Sequence, residues 1–201
     1  MLISIMGSQG SGKSRLLAGL EERGYQVVYR KTSRSILEEW NITLDEVNAN
    51  NNLCKRFQDK ITARKLEDEM EAIQSKDIWF TERTHTDLFV YALMNLGKFN
   101  ENSSWVNEYY ETCKTNNQYY AGVFFIPGGQ FQIEYDGVRG SNHHYAAMID
   151  VTMEHFMKKM FQDSLTNKLK YITMSNIDER IDFVIQNLNE LALNANVQLK
   201  N

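Results

Sequence analysis

Near its start the chain reads Leu2-Ile3-Ser4-Ile5-Met6-Gly7-Ser8-Gln9-Gly10-Ser11-Gly12-Lys13-Ser14-Arg15-Leu16-Leu17-Ala18-Gly19-Leu20. An apolar run, a glycine-rich segment of the form G-x-x-x-x-G-K-S and a segment able to start a helix follow one another. Strand, loop and helix in that order are the context of a phosphate-binding loop. Main-chain N–H groups of such a loop surround a phosphate, and the helix N-terminus adds a favourable dipole. Gly7, Ser8, Gln9, Gly10, Ser11, Gly12, Lys13 and Ser14 are therefore expected to bind ATP. Lys13 is expected to reach the β- and γ-phosphates, and the Ser14 hydroxyl to ligate Mg²⁺.

Working outward, four further short runs have strand character: 25–29, 77–81, 120–126 and 170–174. Most are apolar, β-branched or aromatic, which suits strands buried on both faces of a parallel sheet. Helical patterning fills 13–23, 34–40, 53–75, 84–96, 103–115, 142–162 and 178–193. Alternating strands and helices predict an α/β fold. With the loop, this is a P-loop NTPase fold: a five-stranded parallel sheet flanked by helices. Gly24 is expected to stop the first helix, and Asp178 to cap the last. Asn48 to Asn52 reads as a break between helices. On the helix 53–75, Phe57, Ile61, Met70 and Ile73 are the expected buried stripe. Its polar members are expected to face solvent, with Gln58 and Arg64 as candidates for an acceptor pocket.

At 201 residues the chain is expected to form one domain, 1–201. No apolar run approaches the ~20 residues of a membrane span. The N-terminal apolar run lacks the basic stretch of a signal peptide, so a cytoplasmic location is expected, a host cytoplasm if the chain is phage-encoded. Cys54 and Cys113 have no metal-ligand spacing and are expected to be reduced thiols. The net charge of −4 is uneven: residues 1–65 hold eleven Lys/Arg against seven Asp/Glu, the rest eleven against nineteen. The positive third carries the phosphate loop and a second basic cluster, which suits an anionic substrate. The balance does not by itself indicate duplex DNA binding.

Ligands of α/β sheets bind beyond the carboxyl ends of the strands. The third strand ends there in Thr81-Glu82-Arg83-Thr84. Glu82 is placed to bind Mg²⁺ through water or to accept the proton of an attacking hydroxyl. Arg83 offers a planar fork for a substrate phosphate. Asp87, on the next helix, is a candidate to orient Arg83, to bind substrate, or to serve its helix N-terminus. The second strand leads into Arg30-Lys31-Thr32-Ser33-Arg34, a cationic, hydroxyl-rich segment that points to Arg34 as a further substrate ligand. Asp136-Gly137-Val138-Arg139-Gly140 looks like part of a lid, about 128–145, that brings Arg139 onto the transferring phosphoryl group.

With these motifs the chain resembles the small P-loop kinases and ATPases related to nicotinamide riboside kinase and to phage-encoded nucleotide kinases. The resemblance runs from Met1 to about Leu188. It rests first on the phosphate loop, then on Arg34-Ser35-Ile36-Leu37, Phe57-Gln58-Asp59 with Arg64-Lys65, Glu82-Arg83 with Asp87 and Tyr91, and Asp136-Gly137-Val138-Arg139 in the lid. Ser175-Asn176-Ile177-Asp178-Glu179-Arg180 fits the family's turn near the adenine, which implies a nucleotide-binding role for Arg180. The family's strand-three pair is usually Asp-Arg; Glu82 keeps the charge but moves it outward by about one C–C bond, ~1.5 Å. The resemblance implies a helical lid and an acceptor that is a nucleoside, a nucleotide or a hydroxymethylated pyrimidine in DNA.

The expected activity is transfer of the γ-phosphoryl group of Mg-ATP, with Lys13, Glu82 and Arg139 as catalytic residues and Arg34, Arg83 and Asp87 on the acceptor. Two other classes fit the same loop: an ATPase module coupling hydrolysis to a partner, and a nucleotide-binding scaffold without turnover. The oligomeric state is open.

Overall fold

A computed structural model of the chain describes residues 1–29, 32–128, 142–161 and 168–198. Five parallel strands form one sheet: β1 (Leu2–Met6), β2 (Gln26–Val28), β3 (Trp79–Glu82), β4 (Tyr120–Phe125) and β5 (Leu169–Tyr171), in the order β2-β3-β1-β4-β5. The helices are α1 (Lys13–Glu22), α2 (Thr32–Trp40), α3 (Leu44–Ala49), α4 (Asn51–Gln74), α5 (His85–Leu96), α6 (Ser103–Asn116), α7 (His143–Phe161) and α8 (Ile177–Gln198). The expected five-stranded parallel α/β architecture is what the chain adopts.

Every residue of β1 is buried, as a central strand with helices on both faces requires. Its side chains alternate between two apolar clusters. Leu2 and Met6 join Val123 and Phe125 beneath α5, α6 and α7. Ile3 and Ile5 join Phe80 and Phe124 beneath α1 and α8. Leaving β1 the chain turns towards β2, and leaving β4 it turns the opposite way towards β5. The crevice of such a sheet opens where neighbouring strands part in this manner, between β1 and β4. The glycine-rich loop follows β1 directly into that crevice. Among the described residues no helix is long and apolar enough to cross a membrane.

Several boundaries differ from the sequence expectation, each for a local reason. Helix α3 was not anticipated, although Thr43-Leu44-Asp45-Glu46 carries a capping box: the Glu46 N–H donates to the Thr43 hydroxyl (3.2 Å), and the Glu46 carboxylate accepts from the Thr43 N–H (2.7 Å). The Asn-rich break narrows to Asn50, which closes α3 and, by accepting from the Leu53 N–H, opens α4. Helix α2 begins at Thr32, so Ser33 and Arg34 are helical and not a loop. Asn176, not Asp178, caps α8: its side chain accepts from the N–H groups of Asp178 and Glu179. Asp178 instead pairs with Arg23, the C-cap of α1, at 3.1 Å. Helix α8 continues to Gln198, past the expected end at 193. Gly24 does end α1, with the paired bonds Gly24 N–H to Glu21 carbonyl and Tyr25 N–H to Leu20 carbonyl.

The largest surprise lies on α4. Its buried residues are Cys54, Phe57, Gln58, Ile61, Thr62, Lys65, Glu69 and Ala72. They recur at helical spacing and make one stripe, but polar residues hold half of it. Met70, expected inside, is exposed, because Glu69 takes the inward position beside it. Gln58 and Lys65, expected in solvent, are buried.

Candidate active site

The phosphate loop turns away from β1 at Gly7, whose φ is +149°. A Cβ at Gly7 would lie 2.4 Å from the Ile126 carbonyl oxygen at the end of β4. The loop therefore passes against the β4 backbone at a distance only glycine permits. Gly7→Ala is expected to cost more than about 1 kcal/mol of stability, or roughly 2–4 °C in Tm for a chain of this size. Nucleotide affinity should fall with it. An unchanged melting curve would show that the loop has room to shift.

Gly12 caps α1 in the left-handed region (φ 89°), with no side chain bonded to the helix N-terminus and no acidic residue in the first turn. The positive end of the α1 dipole thus faces the hollow of the loop with no acidic side chain in the first turn to offset it, which favours an anion there. Lys13 lies across the loop and is 4% exposed. Its ammonium donates to the Ser8 carbonyl (2.7 Å) and to the Ser11 hydroxyl (3.3 Å), which sets a positive charge inside the hollow and ties its two arms together.

Ser14, next on α1, is exposed, and its hydroxyl donates to Glu82 Oε2 at 3.0 Å. Glu82 closes β3, in register with Ile5 of β1. The parallel β1–β3 pairing thus delivers the carboxylate to the loop's serine. Arg83 follows in the left-handed region at φ 70°, a conformation that costs a non-glycine residue about 1–3 kcal/mol. Its N–H still bonds the Ile5 carbonyl, and its guanidinium stacks over the Tyr91 ring at 5.1 Å. Burial opposes the charge on Arg83, but Tyr91, Asp87 and Glu82 outweigh that cost and raise its pKa. Arg83 stays a cation.

Asp87 is wholly buried and completes a capping box with Thr84, the N-cap of α5, its Oδ2 accepting from the Thr84 N–H (2.7 Å) and hydroxyl (2.9 Å). Its other oxygen, Oδ1, stands 4.0 Å from Arg83 Nη1. Both of these buried atoms lack a hydrogen-bond partner. Arg34 is exposed on the first turn of α2, beyond the edge strand β2. Arg139, Arg30, Lys31 and the central part of the expected lid lie outside the described residues.

Arg180, expected beside the adenine, is 1% exposed and grips the loop from behind. Its Nη1 donates to the Ser11 carbonyl (2.8 Å) and its Nε to the Met174 carbonyl (2.7 Å). Burial lowers its pKa. Sequence reading missed Asp150 of α7. Desolvation raises its pKa, against hydrogen bonds from the Gly128 N–H and from the hydroxyl and N–H of Ser8. The Gly128 bond is 2.8 Å long. Asp150 thereby ties α7 to the base of the phosphate loop. No sequence motif marks it, because its partners at Ser8 and Gly128 are distant in sequence.

The arrangement is a phosphate loop with a cation, a hydroxyl–carboxylate pair and a strained arginine, all at the carboxyl ends of β1 and β3. A model of the AAA domain family matches residues 2–170. The chain belongs to that family. No curated protein matches it in sequence. Among solved structures, this AAA-domain chain is similar to a deoxyadenosine kinase from M. mycoides with bound dATP. The TM-score is 0.67 at 15% identity, over 94% of this chain and 100% of the kinase. It is also similar to NadR in complex with NR, with a TM-score of 0.68 at 17% identity over 92% of this chain. It spans only 50% of the NadR chain. At such identities the likeness shows the fold alone: this AAA-domain chain shares the five-stranded P-loop fold of those structures.

Proposed function

We propose that the chain is an ATP-dependent kinase that transfers the γ-phosphoryl group to a nucleoside- or nucleotide-like acceptor. A hydroxymethylated pyrimidine in DNA, as in phage-type enzymes, is one acceptor to be tested. The observation that carries this reading is Arg83: a cation in a strained backbone, beside the carboxylate that touches Ser14, with a buried Nη1 that has no hydrogen-bond partner. An unpaired buried donor costs about 1–3 kcal/mol. A site that keeps such a group, and strain with it, has use for an anionic or polar second substrate. A pure ATPase needs only water at that place.

The remaining residues supply positioning and charge neutralisation, which are the main needs of phosphoryl transfer. The loop N–H groups and the α1 N-terminus hold the triphosphate, and Lys13 offsets charge that develops on the γ-phosphoryl. The hydroxyl and carboxylate of Ser14 and Glu82 are the hard oxygen donors that suit Mg²⁺. Bound there, that ion would neutralise charge on the β- and γ-phosphates. Glu82 also stands where it can take the proton of the acceptor hydroxyl. Arg83 holds the acceptor, Asp87 orients Arg83, and Arg34 and Arg139 complete the cation set on the sequence reading. The fold shared with a deoxyadenosine kinase supports the nucleoside class.

Measuring ADP formation with and without nucleosides, nucleoside monophosphates and hydroxymethylpyrimidine DNA separates the readings. A rate stimulated at least about tenfold by one of these acceptors supports the kinase. Steady hydrolysis indifferent to all of them favours the ATPase module.

A further inference from the structure

Beneath the turn at Arg83 lies a buried ionic cluster with no part in the chemistry above. Lys65 of α4 is 0% exposed and Glu69, one turn on, is 1% exposed. Lys65 Nζ is hydrogen-bonded to Glu69 Oε1. Glu69 also accepts from the Thr81 hydroxyl of β3 (2.7 Å) and the Tyr120 hydroxyl of β4 (3.0 Å), and His85 Nε2 of α5 lies 3.9 Å from it. Four elements thus converge on one carboxylate. Such a pair is a poor means of stabilising a core, since well-packed apolar residues of similar volume are often as good or better.

What an apolar residue cannot do is donate a hydrogen bond. Lys65 Nζ donates one to the carbonyl oxygen of Arg83 at 2.8 Å. On its other side, the Arg83 N–H bonds the Ile5 carbonyl at 2.9 Å. The left-handed residue is therefore gripped at both of its main-chain polar groups. Strained conformations persist only where the surroundings over-determine them. An extended φ at Arg83 would swing its side chain away from Tyr91 and Asp87.

We infer that Lys65 is a positioning residue: its buried ammonium, itself held by Glu69, fixes the Arg83 carbonyl and with it the left-handed turn that aims the guanidinium beside Glu82. The effect on the acceptor rests on the kinase reading; the effect on the turn does not. Two measurements keep these apart.

The first is a melting cycle. K65M/E69Q removes the ammonium without leaving an unpaired charge; the glutamine oxygen still accepts from one of the Thr81 and Tyr120 hydroxyls, and its amide NH2 can donate to the other. R83G lets a residue without Cβ take the turn freely. K65M/E69Q should lower Tm by several degrees with Arg83 present, and by less than half as much in combination with R83G. Folding only in the R83G background would give the same answer. Equal losses in both backgrounds, or failure to fold in both, would overturn the inference.

The second is kinetic, with the acceptor that best stimulates ADP formation. K65M/E69Q should raise KM for the acceptor at least about tenfold and leave KM for ATP within about threefold. Parallel changes in both constants, or none, would count against positioning. If the native chain transfers phosphate to no acceptor, the kinase reading fails, and the melting cycle by itself decides the place of Lys65.

Discussion

Lys13→Ala is expected to lower phosphoryl transfer by at least about 10³-fold, the scale of losing one preorganised charge from a transferring phosphoryl group. The ammonium is almost wholly buried in the loop and bonds both Ser8 and Ser11. Alanine therefore removes a positive charge from the hollow and two ties across it. The apolar clusters on the two faces of the sheet do not include Lys13, so circular dichroism should stay native while Tm falls by a few degrees. Steady-state assays with saturating Mg-ATP check the rate. Full activity in this variant would remove the phosphate-loop argument.

Glu82→Gln is expected to lower kcat by about 10²–10⁴-fold, the range for losing a positioned acid–base group, and to change ATP affinity far less. Glutamine retains an oxygen that can accept from the Ser14 hydroxyl, so the contact between α1 and β3 survives while the negative charge is lost. The split between rate and affinity is the informative part. A normal rate would reduce Glu82 to a structural partner of Ser14. An equal loss of rate and ATP affinity would place it wholly on the nucleotide side.

Much of this site could be read before the structure because its chemistry is local in sequence. Gly7 to Ser14 is a contiguous motif, and Glu82 ends one of the strands of the parallel sheet that the alternation of strands and helices predicts. That this strand lies beside β1, in the register that puts Glu82 against Ser14, is visible only in the structure. Lys65 and Glu69 were not legible in the same way. Charged residues on a helix usually face water, and these two are inside only because Thr81, Tyr120 and the Arg83 carbonyl, on other elements, meet them there. Their spacing in line with Phe57, Ile61 and Ala72 was the available signal. Asp150 and Arg180 share the difficulty, since their partners lie far away in sequence and several are main-chain atoms, which carry no side-chain signature. Helix α3 was legible in principle: its capping box stands openly in the sequence, but the helix is too short to show a period.

The two charged groups beside the loop imply different destinations for a phosphoryl group. A site built around Glu82 alone can activate water. Arg83, stacked on Tyr91 and facing Asp87, is in the proposed function the ligand of a second substrate, which water does not need. Following the label from [γ-³²P]ATP therefore tests the central claim most directly, with native protein, magnesium and a panel of nucleosides, nucleoside monophosphates and hydroxymethylpyrimidine DNA. The account predicts label in a phosphorylated acceptor, with little in inorganic phosphate. Label found only in inorganic phosphate, at the same rate whatever acceptor is supplied, would contradict it.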